Sequence, residues 1–236
     1  MDIHQKVVRG TFIKRPNRFQ AYVILDGEEL LVAVPNTGRC KEILTEGCTV
    51  LLREGLNPKR KTKYDLIAGY KGDKLINIDS QAPNKVVEEA LKLGKIDILK
   101  KYTLVEREKF FGKSRFDFRL TNSQNDIYFL EVKGVTLEED GHTKFPDAPT
   151  ERGARHLLEL VEARKQGWGA GVLFLIQMDG VTSFSPYDKM DKNFGDALRY
   201  AAENGVDIYA YQCSIGEKML TLDKRVPIFL EEHLKS

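Results

Sequence analysis

The sequence predicts a two-domain protein, a small closed β-barrel followed by a larger mixed-sheet α/β domain. Residues 1–80 read as short β-rich runs divided by turn residues, whereas helical periodicities alternate with strands from about residue 81 onward. The chain of 236 residues, 42% hydrophobic and 31% charged, is long enough for one large domain or two modest ones, each with its own core. The domains are therefore expected at 1–80 and 81–236.

The first predicted strand is Val7–Ile13, and the second is Phe19–Leu25. Asp26-Gly27 then separates that run from Leu30–Val34, a pairing typical of a tight hairpin. Thr49–Arg53 and Tyr64–Tyr70 complete five strands, too few for a two-sheet sandwich and enough for a small barrel. The OB-fold is the natural candidate, and its loops commonly grip nucleic acid.

In the second part, Asn84–Leu93 has Val86, Val87, Ala90 and Leu91 on one helical face and Gly94 as its stop. Strands are predicted at Tyr102–Arg107, Arg115–Thr121 and Ile127–Val132. A helix follows over Glu151–Gln166, between Thr150 and Gly167. The continuous apolar run Gly171–Gln177 reads as a strand buried on both faces. A helix over Phe194–Asn204 and a strand over Val206–Tyr211 end the pattern, giving the order α-β-β-β-α-β-α-β.

No run approaches the roughly 18 apolar residues of a membrane span, and the opening Met-Asp-Ile-His-Gln-Lys lacks the apolar stretch of a signal peptide. Cys40, Cys48 and Cys213 are odd in number and none lies in a Cys-x-x-Cys pair, which suits reduced thiols. The expectation is a cytoplasmic protein without a membrane partner. Residues 1–80 carry 14 Lys/Arg against 10 Asp/Glu, and residues 81–236 carry 23 against 25. That mild asymmetry fits a phosphate-binding module joined to a carboxylate-bearing one.

The hairpin Arg115–Thr121 to Ile127–Lys133 holds the most informative chemistry. With its turn centred on Gln124, Asp117 lies opposite Glu131. Like charges facing each other destabilise a hairpin, so the pair asks for a cation. Glu131 and Lys133 are two apart and share a strand face. Two carboxylates and an ammonium suit metal-assisted phosphodiester hydrolysis with Mg²⁺ or Mn²⁺. In that reading Asp117, Glu131 and the Val132 carbonyl hold the metal, and Lys133 orients water or stabilises charge. Composition alone would yield roughly three Asp/Glu-x-Lys triplets. The chain has one, Glu131-Val132-Lys133, at the end of an apolar strand.

Asp117 followed by Glu131-Val132-Lys133 inside an α-β-β-β-α-β order resembles the PD-(D/E)xK nuclease superfamily, with Phe116-Asp117 in place of Pro-Asp. Several longer stretches are similar to the sugar fermentation stimulation protein A family. They are Pro35–Arg39, Ser114–Phe118, Glu131–Leu137 and Phe145–Gly153, the last containing the specific Phe-Pro-Asp-Ala block. The resemblance implies an N-terminal OB-like domain, a C-terminal nuclease-like domain and DNA binding with little sequence preference. It also implies a helix glutamate near the metal: Glu88 and Glu89 both flank the apolar face, and Glu89 is favoured because Glu89-Ala90-Leu91 is family-like. Ordinary solvated helix charge is the alternative for either.

Candidate nucleic-acid contacts are Lys59, Arg60, Lys61 and Lys63 in one loop, Arg15 and Arg18 beside Phe19 in a second, and Arg39 in a third. Arg152 and Arg155 on the helix flanking the site are further phosphate candidates, although Arg155 with Glu159 also makes an ordinary i,i+4 pair. Asp147 or Thr150 is expected either to cap that helix or to join the site. Tyr22 reads as a stacking residue or as core, and His4, His142 and His233 have no partner at metal-ligand spacing. The leading expectation is a DNA-binding protein with a metal-dependent nuclease site. The alternatives are a non-cleaving DNA-binding regulator, of sugar (maltose) metabolism genes as the family resemblance implies, and an RNA-processing factor.

Overall fold

A computed structural model describes residues 1–36, 38–57 and 59–231. Thr37 in the Asn-Thr-Gly-Arg turn, Pro58 in the basic loop and His233 lie outside them.

The N-terminal domain is built from β1 (Val7–Asn17), β2 (Gln20–Leu25), β3 (Glu28–Ala33), β4 (Thr49–Glu54), β5 (Tyr64–Lys71) and β6 (Lys74–Asn77). They pair in the order β3-β2-β1-β4-β5-β6, and β3 returns to β5 through Ala33↔Asp65, so five strands close a ring. Alternating residues Ala21, Val23, Val32, Val50, Leu52 and Leu66 fill its interior with no exposure. The β2–β3 hairpin turns through Asp26 (φ 54°) and Gly27 (φ 85°), the left-handed conformations that an Asp-Gly pair accommodates. β6 was not expected, being four residues that open on Lys74.

The C-terminal domain starts with α1 (Ala82–Lys92), followed by β7 (Tyr102–Phe111), β8 (Ser114–Asn122) and β9 (Ile127–Val135). Two short strands, β10 (Leu137–Glu139) and β11 (His142–Phe145), precede α2 (Glu151–Lys165) and β12 (Gly169–Ile176). Then come β13 (Ser183–Pro186), α3 (Lys192–Glu203), β14 (Asp207–Gly216) and β15 (Met219–Arg225). The main sheet runs β15-β14-β12-β9-β8-β7, with β9, β12 and β14 mutually parallel. A separate small sheet, β10-β11-β13, was not anticipated, since its strands are three or four residues long and partly polar.

Helices cover both faces of the main sheet. Val86, Val87, Ala90 and Leu91 of α1 pack with Phe118, Leu120, Leu130, Val132 and Leu173. Leu157, Leu160 and Val161 of α2 and Phe194 and Leu198 of α3 pack with Phe116, Phe129, Val172 and Phe174 on the other. Thr150 caps α2 by accepting from the Gly153 N–H at 3.0 Å; Asp147 is left for the cleft described below.

The two domains are bonded together. Gln177 Nε2 donates to the Asn77 carbonyl (2.9 Å) and to Asn77 Oδ1 (2.8 Å). Glu138 of β10 accepts from Lys71 (3.0 Å) and Lys74 (2.9 Å) of the N-terminal domain. Residues preceding β1 lie along β15, where the Ile3 N–H donates to the Lys218 carbonyl at 2.8 Å and Asp2 bridges Met219.

Candidate functional site

The β8–β9 register is Phe118↔Leu130, Arg119↔Phe129, Leu120↔Tyr128 and Thr121↔Ile127, the pairing expected for a turn centred on Gln124. One step further would pair Asp117 with Glu131, and there the ladder stops. Phe116 and Phe118 are two apart, yet Phe116 packs on the α2 side with Phe129 and His156 while Phe118 packs on the α1 side. Strand residues two apart normally share a face, so β8 twists between them. This turns Asp117 toward the β9 backbone, where its Oδ2 accepts the Val132 N–H at 2.8 Å. Its Oδ1 accepts from Asn84 Nδ2 of α1 at 2.7 Å. The N–H and C=O of one strand residue point to the same side, so the Val132 carbonyl also faces β8.

Glu131 is 4% exposed. Its Oε1 accepts from Lys133 Nζ at 2.6 Å and from His156 Nδ1 at 2.6 Å, whereas its buried Oε2 has no partner. Arg152, one turn before His156 on α2, donates from Nε to His156 Nε2 at 3.3 Å. Burial pushes the Asp117 carboxyl above its ordinary value, and the Glu131 charge adds to this against the Val132 and Asn84 hydrogen bonds. Burial acts the same way on Glu131, but the His156 hydrogen bond and the Lys133 ammonium outweigh it and hold that group below its ordinary value. Their environments thus drive two adjoining carboxylates apart in proton affinity.

Asn84, Asp117, Glu131, Lys133 and Arg152, but not the buried His156 behind them, line a cleft of about 470 Å³, the size of a small-ligand pocket. Asn36 and Gly38 of the N-terminal domain form part of its wall, opposite Asp147, Arg152 and Gln177 of the C-terminal domain. Gly38 sits so close to Asp147 that an added Cβ would lie 2.6 Å from its Oδ2. Asp147, held in this confined place, has its carboxyl pushed up by burial.

The cleft brings together Asp117, Glu131, Val132, Lys133 and Arg152 of the predicted set. Glu89 is not there: its carboxylate pairs with the Met1 ammonium, and α1 reaches Asp117 through Asn84 instead. Neighbouring Glu88 is tied to Lys92 and Arg107. The Arg15 guanidinium donates to the carbonyls of Gly38 (2.6 Å), Arg39 (3.0 Å), Arg18 (2.7 Å) and Asn36, and so braces the cleft-wall loop. Arg60 is committed to Asp65, and Lys63 lies 3.5 Å from Glu54. Lys59, Lys61, Arg18, Arg39, Arg152 and Arg155 are exposed. Arg18 stacks over Phe19, while Tyr22 is half-buried beneath Lys14. No Arg155–Glu159 ion pair forms among the described residues.

Two residues of the site were given no role in the sequence reading: Asn84, which figured only as a helix start, and His156, noted only as sharing a helical face with Arg152. The spacing of His156 four residues after Arg152, within the apolar rhythm of Leu157 and Leu160, was the available signal for one of them. Asn84 carried none.

Among the described residues, no three His, Cys, Asp or Glu side chains form a ready ligand set. The donors are two carboxylates and a backbone oxygen. A hard cation such as Mg²⁺ keeps several waters and needs few protein ligands. The orphaned Glu131 Oε2, buried without a donor, is an acceptor that such a cation would satisfy. The residues present therefore fit a divalent ion.

A family model described as the sugar fermentation stimulation protein RE domain matches residues 81–219, and one described as the SfsA N-terminal OB domain matches residues 13–78. The homologue from Clostridium acetobutylicum is 64% identical over 230 residues, covering 98% of this chain and all of that protein. The chain belongs to the sugar fermentation stimulation protein family. The Clostridium tetani member is 63% identical over 230 residues, 98% of this chain and 100% of its own. Among solved structures, SfsA of Pyrococcus furiosus in complex with Ca²⁺ is 26% identical and superposes with a TM-score of 0.88, covering 97% of this chain and 99% of that one. The OB domain and the mixed-sheet α/β domain are thus the architecture of this SfsA member as well.

Proposed function

We propose that this SfsA-family chain binds DNA with little sequence preference and carries a divalent-metal-dependent phosphodiesterase site at Asp117, Glu131 and Lys133. The observation that carries the proposal is the meeting of a buried and a half-buried carboxylate in a cleft, one with an unpartnered oxygen, beside an ammonium and an exposed arginine. Asp117, Glu131 and the Val132 carbonyl would hold Mg²⁺ or Mn²⁺. When bound, the ion neutralises charge on a phosphodiester and lowers the pKa of a coordinated water. Lys133 holds positive charge at the cleft, and Arg152 offers a planar donor for a neighbouring phosphate. Arg18, Arg39, Lys59 and Lys61 supply sequence-blind backbone contacts on the N-terminal domain. The Ca²⁺ bound by the Pyrococcus furiosus relative supports the choice of a divalent cation. A cytoplasmic setting is part of the proposal, in keeping with three free cysteines.

The test is cleavage of duplex and single-stranded DNA with added Mn²⁺ or Mg²⁺, comparing the wild type with Asp117→Ala and Lys133→Ala. Cleavage that survives unchanged in both variants removes the assignment.

One observation favours a second reading, a DNA-binding regulator that does not cleave. Three of the four carboxylate oxygens of Asp117 and Glu131 are already engaged by protein donors. DNA binding without turnover in either metal would select it. Competition between matched DNA and RNA would test the RNA-processing alternative.

A further inference from the structure

The carboxylate of Glu131 is held by two donors on the same oxygen. Lys133 Nζ and His156 Nδ1 both lie 2.6 Å from Oε1, whereas Oε2 is buried without a hydrogen-bond partner. His156 is 2% exposed, so water does not compete for its ring. At its other nitrogen, Arg152 Nε donates to Nε2 at 3.3 Å. A guanidinium only donates, so Nε2 must offer its lone pair and the ring proton must sit on Nδ1. The chain of bonds therefore runs in one direction, from Arg152 to His156 to Glu131.

We infer that His156 is a positioning residue that locks the rotation of the Glu131 carboxylate and so sets Oε2 as its open ligand atom, with Arg152 fixing the tautomer of His156. The inference rests on the divalent-metal reading of the same site. The terminal torsion of a glutamate is broad and nearly two-fold, so an unrestrained carboxylate would sample orientations that dilute any binding geometry. Donors from two elements, β9 and α2, remove that freedom. Outer partners that orient a metal-binding carboxylate typically alter affinity by about 10–100-fold. The plain alternative is that His156 only fills space: its ring meets Phe116 edge-on, with centroids 6.0 Å apart.

Mn²⁺ binding to the full chain, read from the electron paramagnetic resonance of the free ion, separates the two. His156→Leu keeps an apolar group in the core and removes the donor; it is expected to weaken Mn²⁺ binding about 10–100-fold. His156→Asn places an amide N–H near the position of Nδ1 and is expected to recover most of that loss. Thermal melts in EDTA establish that each variant is folded. Wild-type affinity in the leucine variant, or a loss in the asparagine variant equal to that in the leucine one, overturns the inference while leaving the metal site standing. Absence of Mn²⁺ binding in the wild type overturns the metal reading and this inference with it. A measurement on the unaltered protein stands beside these: ¹⁵N NMR of the His156 imidazole should show the Nδ1–H form, and an Nε2–H form overturns the role given to Arg152.

Discussion

The amide of Val132 donates to the carboxylate of Asp117 at 2.8 Å, just past the last β8–β9 pair, Phe118↔Leu130. A side chain thus takes over where the backbone ladder ends. The twist that separates Phe116 from Phe118 opens the strands, and the acid fills the opening. Asp117 satisfies a backbone group while sitting beside Glu131, and the second role works against its charge.

Asp117→Asn, with its amide oxygen kept on the Val132 N–H and the Asn84 amide turned to accept from the new NH2, is therefore expected to raise the melting temperature in EDTA. The carboxyl is pushed up by burial and by Glu131, so its ionised form costs stability at neutral pH and an uncharged amide relieves that cost. Added Mn²⁺ should raise the melting temperature of the wild type and not that of the variant. Calorimetry with and without metal checks both halves.

Glu89→Ala should leave Mn²⁺ binding unchanged, because Glu89 faces the Met1 ammonium instead of the cleft. Asn84→Ala should weaken it, since the amide at 2.7 Å orients Asp117 Oδ1. The same titration on the two variants decides whether α1 serves the site through Asn84.

Arg15 and Arg18 should separate by what they change. Arg15→Ala strips donors from carbonyls of the cleft-wall loop and is expected to cost about 1–3 kcal/mol in urea unfolding. Arg18 is exposed over Phe19, and its loss should leave stability intact. Arg18→Ala should instead lower DNA affinity and reduce the slope of log K against log salt by about one. Fluorescence anisotropy over a salt series provides that slope.

Glu138 should give the protein an acid-sensitive joint between its domains. Burial alone would raise its carboxyl, but Lys74, the Gly141 N–H and Lys71 outweigh that and hold it down at about 2. A carboxyl with a depressed folded-state pKa stabilises the fold above its ordinary value of 4.5, and that contribution disappears as pH falls toward about 2. Glu138→Gln should cost about 2 kcal/mol at neutral pH. It should also flatten the stability profile across that acid window, as followed by denaturant melts at stepped pH.

Local pattern carried the domain order, the three helices and the β8–β9 register, because each depends on short-range rules. Asp26-Gly27 dictates a two-residue hairpin, and the apolar stripe of α1 ends at a glycine. The sheet β10-β11-β13 divides on this point: β10 and β11 form a short hairpin through Asp140-Gly141, a local signal passed over because the flanking runs are polar, whereas β11 gains β13 from chain forty residues away. The site divided along the same line. Asp117, Glu131 and Lys133 follow from one hairpin and were readable from it. Asn84 and His156 arrive from helices on opposite faces of the sheet, and only the packed fold determines which residue of each helix points inward. The bracing role of Arg15 was hidden for a related reason, since a loop arginine reads as solvated until the carbonyls that turn toward it are known.

Residues 1–3 run along β15 before the barrel begins, and the chain re-enters the C-terminal domain through Asn77–Asp79. The barrel therefore hangs from its neighbour at both ends. With Lys71 and Lys74 gripping Glu138 as a third tie, the wall made by Asn36 and Gly38 is held against the cleft from several sides.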